Sequence, residues 1–327
     1  MSAEPALKGG TACSPWSLRP PFDPHAMPGQ SPAIASILQL RGLTKRYKAF
    51  TLDGASLAVQ PGTMMGLLGP KGAGKTTLIK AILGLVRLDG GSALFQGRNL
   101  ASEGPELRRR IAYVADEPKF APGARLATLK EVYAPFYPDF DEARWRGLMA
   151  DFGLDPKKKA KELSLGQRSR FALTLALSRD WDLMVLDEPT TGLDPVFRRE
   201  LIQRFSERLD ERRAILFSTH ITSDLEGRAD HVTFLRNGQV VLSDTQDSVK
   251  ERWGLVKGGL ELLESPLGDS AAGGQHTEYG VTLLCRKAGD PPPADTLLEK
   301  PRLEDLLYFH GRELTSAPCQ EEAPCEP

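Results

Sequence analysis

The sequence is poor in cysteine. Of its 327 residues four are Cys, and none of these (Cys13, Cys285, Cys319 and Cys325) falls between Ile37 and Leu255. A disulfide framework would place cysteines inside the folded part, and no spacing among these four suits a zinc site, so a reducing, cytoplasmic setting is expected. Also missing is any run of roughly 18 consecutive apolar residues, the length that a membrane-spanning helix needs. Any membrane role is therefore expected to come through a partner. Pro5, Pro15, Pro20, Pro21, Pro24, Pro28 and Pro32 break up the early chain, which argues against a secretory signal. Net charge is nearly absent: 42 Lys and Arg stand against 43 Asp and Glu, giving −1. No overall field draws such a chain to nucleic acid or anionic lipid. Internal repeats are lacking too, and there is only one Gly-rich phosphate loop.

What is present divides into three. Residues 1–33, rich in Pro, Gly and Ser, read as a disordered leader. Residues 34–255 alternate short apolar runs with charged helical stretches, the α/β pattern. Residues 256–327 read as a C-terminal extension, partly disordered, in which Val281–Cys285 resembles a strand and Leu303, Leu306 and Leu307 have helical spacing. Within the central part, strands are expected at Ile37–Leu40, Thr63–Leu68, Ile111–Val114, Leu183–Leu186, Ala214–Ser218 and Val232–Leu235. Strands this apolar belong at the centre of a largely parallel sheet covered by helices. Leu78–Leu85, Arg168–Ser178 and Val196–Leu209 supply helical spacing between them.

The stretch Gly69-Pro70-Lys71-Gly72-Ala73-Gly74-Lys75-Thr76 satisfies G-x-x-x-x-G-K-[ST], with a strand pattern directly before it and a helix pattern after it. Glycines at 72 and 74 let the backbone wrap so that successive N–H groups point at one phosphate, and the helix adds its positive end. Lys75 can reach the β- and γ-phosphates of a nucleotide, and the Thr76 hydroxyl can ligate Mg²⁺. A Gly-rich turn that binds nothing is the plainer alternative, and the strand–loop–helix context argues against it. Downstream, the strand Leu183–Leu186 ends in Asp187-Glu188-Pro189. Ligands in α/β sheets sit beyond the carboxyl ends of strands, where the phosphate loop also emerges. Asp187 is placed to hold Mg²⁺ and Glu188 to orient or deprotonate an attacking water. Without the phosphate loop, two such carboxylates would read as a helix cap.

Four more features narrow the kind of phosphate-loop protein. Leu163-Ser-Leu-Gly-Gln167 resembles the LSGGQ signature of ATP-binding cassette (ABC) ATPases, followed at that family's close spacing by Asp187. Thr191-Gly-Leu-Asp194 resembles the D-loop, Ser218-Thr-His220 the H-switch, and Tyr47 stands where the family has an aromatic that stacks on adenine. Taken singly, Tyr47 could be core and His220 a satisfied polar residue. In order and together they are specific, and from Ile37 to Trp253 the chain resembles an ABC nucleotide-binding domain with a helical subdomain at about 118–166. The resemblance implies that Gly69, Gly72, Gly74, Lys75, Thr76 and Thr77 hold phosphates and Mg²⁺, with Pro70, Lys71 and Ala73 completing the loop. It implies further that Tyr47 stacks on the base of ATP, that Asp187 and Glu188 are metal partner and general base, and that His220 contacts the γ-phosphate. Ser164, Gly166 and Gln167 would act on the site of a second ATP-binding subunit, in a homodimer or heterodimer.

Two departures stand out. Asp116 occupies the place of the family's Q-loop glutamine; an ionised carboxylate accepts hydrogen bonds but cannot donate them. It could still bind Mg²⁺, but it would repel a bare γ-phosphate. Leu165 replaces the first Gly of the signature. Slower hydrolysis is one expectation, with the extra charge of Lys71 a partial offset. The aromatics Tyr133, Phe136, Tyr137, Phe140, Trp145 and Phe152 read as a small packed core rather than a base-stacking surface. Lys157–Lys159 with Lys161 read as a solvated loop.

Phe136-Tyr-Pro-Asp-Phe140, Leu154-Asp-Pro-Lys-Lys-Lys159 and Ser218-Thr-His-Ile-Thr-Ser-Asp-Leu225 are similar to the bacterial branch that powers ABC-2-type and bacitracin-resistance-like exporters, and Pro301–Leu307 is similar to its final helix. The resemblance implies an ATPase subunit for a separate integral-membrane permease, peripheral on the inner face of the cell membrane, with no nucleic-acid partner. Two alternatives stay open: a soluble cassette acting on ribosomes or DNA, and a regulatory low-turnover cassette partnered by a second ATPase subunit. A guanine-reading Asn-Lys-x-Asp string is lacking, which sets GTPases aside.

Overall fold

The computed structural model describes residues 36–287, 293, 295–310 and 315–316. The expected leader over 1–33 lies outside the described residues.

The chain opens with β1 (Leu38–Arg46) and β2 (Thr51–Val59), then enters β3 (Met64–Leu68), the phosphate loop and α1 (Lys75–Ile82). Strands β4 (Gly90–Phe95) and β5 (Arg98–Asn99), helix α2 (Gly104–Arg108) and β6 (Ile111–Val114) follow. Helices α3 (Leu126–Tyr133), α4 (Glu142–Asp151) and α5 (Leu165–Leu177) form the helical region. The chain returns through β7 (Leu183–Asp187), α6 (Pro195–Ser206), β8 (Ala214–Thr219), β9 (His231–Arg236) and β10 (Gln239–Thr245).

Five of the expected strands lie in one sheet of order β10-β9-β3-β8-β7-β6, parallel except for β10. Its middle strands β3, β8 and β7 are buried at every residue, because helices or other layers cover both faces. Alternate residues serve two cores. Met64, Met184 and Phe217 join the core under the helical region, while Met65, Val185 and Leu216 join the core shared with α1 and the first hairpin.

The sixth expected strand departs from that picture. The Ile37–Leu40 run becomes β1, nine residues long, in a separate antiparallel sheet of order β2-β1-β4-β5. Strands β2 and β4 went unread because an antiparallel strand with one face towards solvent breaks its apolar run; β2 alternates Leu52, Ala55, Leu57 and Val59 inwards. The helices expected at Leu78–Leu85, Arg168–Ser178 and Val196–Leu209 begin earlier, at Lys75, Leu165 and Pro195.

In the helical region the aromatics pack as a core. Trp145 and Phe152 are buried, Tyr133 meets Tyr137 at 4.6 Å and Phe140 at 6.2 Å between ring centroids, and the Arg179 guanidinium lies 4.0 Å over Tyr137. Phe136 and Val132 stay outside, 66% and 64% exposed. Lys157, Lys158, Lys159 and Lys161 are exposed.

Beyond β10, α7 (Gln246–Arg252) leads into β11 (Trp253–Gly258), so the expected boundary between 255 and 256 falls inside a strand. Helix α8 (Pro266–Ser270) and β12 (Gly273–Thr277), β13 (Gly280–Arg286), β14 (Leu297–Glu299), α9 (Leu303–Phe309) and β15 (Thr315–Ser316) complete the described chain. These strands pair in the order β14-β11-β13-β12-β15. Leu255 pairs with Leu284 in register, and both face the main core; their neighbours Val256 and Leu283 face a smaller one with Leu262 and Leu267. The extension thus shares a continuous core with the α/β body.

Candidate functional site

Sheet order builds the site. Strand β8 lies between β3 and β7, with Leu68 beside Thr219 and Asp187 beside Ser218. The phosphate loop, the H-switch and the acidic pair therefore leave the same sheet edge side by side, at the carboxyl ends of parallel strands.

The loop turns through Gly72 at φ 81° and Gly74 at φ 108°, conformations in which a side chain is strained. Gly74 caps α1, and a Cβ there would lie 2.6 Å from Phe50, so the first hairpin presses on the loop. Lys75 is buried and donates from Nζ to the carbonyl oxygens of Gly69 (2.6 Å) and Pro70 (3.3 Å), while Glu188 Oε1 lies 3.1 Å away. Pro70, Lys71, Gly72 and Thr76 are exposed at the mouth, Ala73 is buried, and Gly74 and Thr77 are intermediate. Tyr47, in the turn between β1 and β2, is 47% exposed, and Lys45 Nζ sits 5.5 Å from its ring centroid.

Glu188 is the hub. Its second oxygen lies 2.8 Å from His220 Nδ1 and accepts from the His220 backbone N–H at 3.3 Å. Its backbone sits in the left-handed region at φ 48°, unusual for a residue with a side chain and costing about 1–3 kcal/mol. The Glu188 N–H donates to both the carbonyl oxygen (3.1 Å) and the hydroxyl (3.2 Å) of Ser218, which pins that conformation. The same hydroxyl donates to Asp187 Oδ1 at 2.7 Å. Asp187 Oδ2 is buried without a hydrogen-bond partner. An orphaned carboxylate oxygen beside a phosphate loop suits a cation.

Asp116 follows β6 on the same edge. Burial first, then repulsion from Asp187, Glu188 and Glu117, holds its carboxyl above the ordinary aspartate value, and the nearby His220 pulls the other way. Tyr113, within β6, is pushed up to about 12 by burial and then by Asp187 and Asp116. Negative charge is thus concentrated where Asp116, Asp187 and Glu188 converge.

The signature residues face each other. Ser164 Oγ accepts from Gln167 N at 3.2 Å and Gln167 Oε1 accepts from Ser164 N at 3.1 Å, a reciprocal cap on α5. A Cβ on Gly166 would stand 2.9 Å from the Gly192 carbonyl oxygen, so glycine there permits the close approach of α5 to the D-loop. Leu165, the residue in place of glycine, leans on Gly192 and remains 41% exposed. The structure therefore gathers Lys75, Asp187, Glu188 and His220 into one contact network, with Asp116 close by, and keeps Ser164, Gly166 and Gln167 at the separate start of α5. Ser218, Thr190 and Asp224 were not singled out as site residues; a position in the H-switch string was the only signal for Ser218.

A phosphate loop at the end of β3, with an acidic pair and a histidine on adjoining strand ends, defines a nucleotide-hydrolysing α/β protein. Residues 52–191 match the family described as ABC transporter. Nod factor export ATP-binding protein I of Ralstonia nicotianae is 30% identical over 302 residues, covering 86% of this chain and 92% of its own. ABC transporter ATP-binding protein YtrB of Bacillus subtilis is 30% identical over 219 residues, 66% of this chain and 75% of its own. A solved ATP-binding subunit of an ABC transporter superposes with a TM-score of 0.61 at 29% identity, covering 66% of this chain and 92% of that one. The chain belongs to the ATP-binding proteins of ABC transporters, and it is an ATPase coupled to transport.

Proposed function

We propose that this chain binds Mg·ATP at residues 69–77 and drives a separate integral-membrane permease of the ABC-2 exporter type, working with a second ATP-binding subunit. The observation that carries the reading is the Lys75–Glu188–His220 chain of contacts at 3.1 and 2.8 Å beside the phosphate loop. Phosphate entering the loop would compete with Glu188 for the Lys75 ammonium and free that carboxylate to accept a proton from water. His220, already on Glu188, would then orient it and meet the γ-phosphate.

No group of three or more His, Cys, Asp or Glu is placed to hold a metal ion among the described residues. Mg²⁺ is usually held by one or two carboxylates together with water and substrate phosphates. Asp187, with its unpartnered oxygen, and Thr76 at the loop mouth would hold it, with Asp116 as a further carboxylate, and the ion would neutralise charge on the phosphates.

Among the described residues no helix is long and apolar enough to cross a membrane. Val132 and Phe136, exposed in the helical region, would supply an apolar surface for a permease's cytoplasmic helix. That contact would hold the subunit at the inner face of the membrane. Ser164, Gly166 and Gln167 would close the nucleotide site of the second subunit. The departures at Asp116 and Leu165 favour one further reading, in which this cassette turns over slowly beside a faster partner.

The reading is tested by ATP turnover of the purified chain with its permease. Glu188→Gln is expected to lower kcat on the order of 10²–10⁴-fold while nucleotide still binds. Lys75→Ala is expected to abolish binding measured by calorimetry. Unchanged turnover in Glu188→Gln removes the catalytic assignment.

A further inference from the structure

The C-terminal unit lies outside residues 52–191, the span that matches the family, and its last helix packs on the short turn that follows His220. Immediately after His220 the chain makes a single helical turn at Thr222–Asp224. On one side, Asp224 is buried and accepts from the buried Thr190 hydroxyl at 2.6 Å, with Arg198 3.4 Å away. Thr190 leaves the strand end two residues after Glu188. The buried carboxylate therefore ties the segment leaving Glu188 to the segment leaving His220.

On the other side of the turn sits α9. Leu303, Leu306 and Phe309 share the core of Leu225 and Ala229, the residues that continue the turn. Glu226 accepts from the Leu303 backbone N–H at 2.9 Å and pairs with Lys250, and Arg236 donates to the His310 carbonyl oxygen. Between α9 and the site runs a cleft of about 510 Å³ whose walls include Pro70 of the phosphate loop, His220, Thr222, Glu304 and Leu307.

We propose that the C-terminal unit is a positioning element for hydrolysis: α9 seats the 222–224 turn, and Asp224 transmits that placement to Thr190 and so to Glu188 and His220. A short, charge-assisted hydrogen bond in a dry interior is stiff, so a shift of the turn moves both segments together. Misplacement of catalytic groups by about 1 Å costs on the order of 10²-fold in rate, which gives α9 leverage without any contact to nucleotide. The inference rests on the assignment of Glu188 and His220 made above.

The test is steady-state ATP turnover, ATP affinity by calorimetry and thermal unfolding on the full chain. The variants are Asp224→Asn, Thr190→Val, their combination, and Leu307→Ala on the cleft face of α9, with Glu188→Gln as reference. Asp224→Asn and Thr190→Val are each expected to lower kcat about tenfold or more with ATP affinity held within about twofold. Their combination is expected to be little worse than either alone, the signature of one shared link. Leu307→Ala, at a half-buried position that packs on the edge of the main core, is expected to lower kcat severalfold with Tm lowered only slightly. If Glu188→Gln abolishes turnover while Leu307→Ala and the folded members of the Thr190–Asp224 set keep the parent kcat, the proposal fails and the site assignment stands. Losses of kcat and affinity in step with a falling Tm would equally overturn it, since they mark a structural role. Unchanged turnover in Glu188→Gln would remove the assignment beneath it and the proposal too.

Discussion

Ser218 shows how one small side chain organises two larger ones. Its hydroxyl has a single proton to give and spends it on Asp187, while its lone pairs take the N–H of Glu188. Removing it would leave Asp187 with both carboxylate oxygens short of partners in a buried place and would leave the strained φ of Glu188 held by the Ser218 carbonyl oxygen without the hydroxyl. Ser218→Ala is therefore expected to cost about 1–3 kcal/mol in thermal unfolding, the price of an unsatisfied buried acceptor. Its loss of kcat is expected to exceed its effect on ATP affinity, since Lys75 and the loop amides are untouched. The phosphate loop residues were legible in the sequence because their chemistry is local: the glycines and the lysine act within one turn of chain. The importance of Ser218 was not, because it depends on β8 lying between β3 and β7. Leu165 was legible as a departure but not in its direction; it lies on Gly192 of its own chain.

Elements divide by how they bury their faces. Strands covered on both sides announce themselves as unbroken apolar runs, which is why β3, β6, β7, β8 and β9 were readable. Strands β2 and β4, with one wet face, were not, and neither was the full C-terminal sheet, whose β12 is Gly-Gly-Gln-His-Thr. Helix α9 is attached partly through His310, which follows it. Burial first, then the charges of Arg286 and Arg236, holds this imidazole down at about 4, below its ordinary 6.5. A base held neutral in the folded state but protonated when unfolded weakens folding as acid is added, starting near its unfolded value and continuing down to about 4. Moving from pH 7 to pH 5 is expected to cost the C-terminal unit about 1–2 kcal/mol through this group. His310→Asn is expected to flatten that part of the pH dependence, read by thermal unfolding between pH 7 and pH 4.5. An acid response identical in the variant would place the sensitivity elsewhere.

At the scale of the whole molecule, the two large cores lie on opposite faces of the six-stranded sheet, so the site sits at the edge where both layers end. Nucleotide bound as proposed, at the ends of β3, β7 and β8, would stabilise the sheet as a unit. ATP with Mg²⁺ at about 100 times its Kd is expected to add about 2.7 kcal/mol to the unfolding free energy, seen as a raised Tm, and Lys75→Ala is expected to lose that rise. Local order in the chain already made the proposed binding chemistry readable: a strand, a glycine-rich turn, a lysine and a helix start are contiguous, and neighbours in sequence stay neighbours in space. It established too that the chain is α/β and carries one such loop. What folding alone settled is which distant segments meet. The β8 insertion between β3 and β7 put His220 and Ser218 against the acidic pair, and the packing of Leu303, Leu306 and Phe309 put the C-terminal helix behind the H-switch. Those contacts join residues far apart along the chain, and no local pattern encodes them, because apolar burial selects a face without naming its partner.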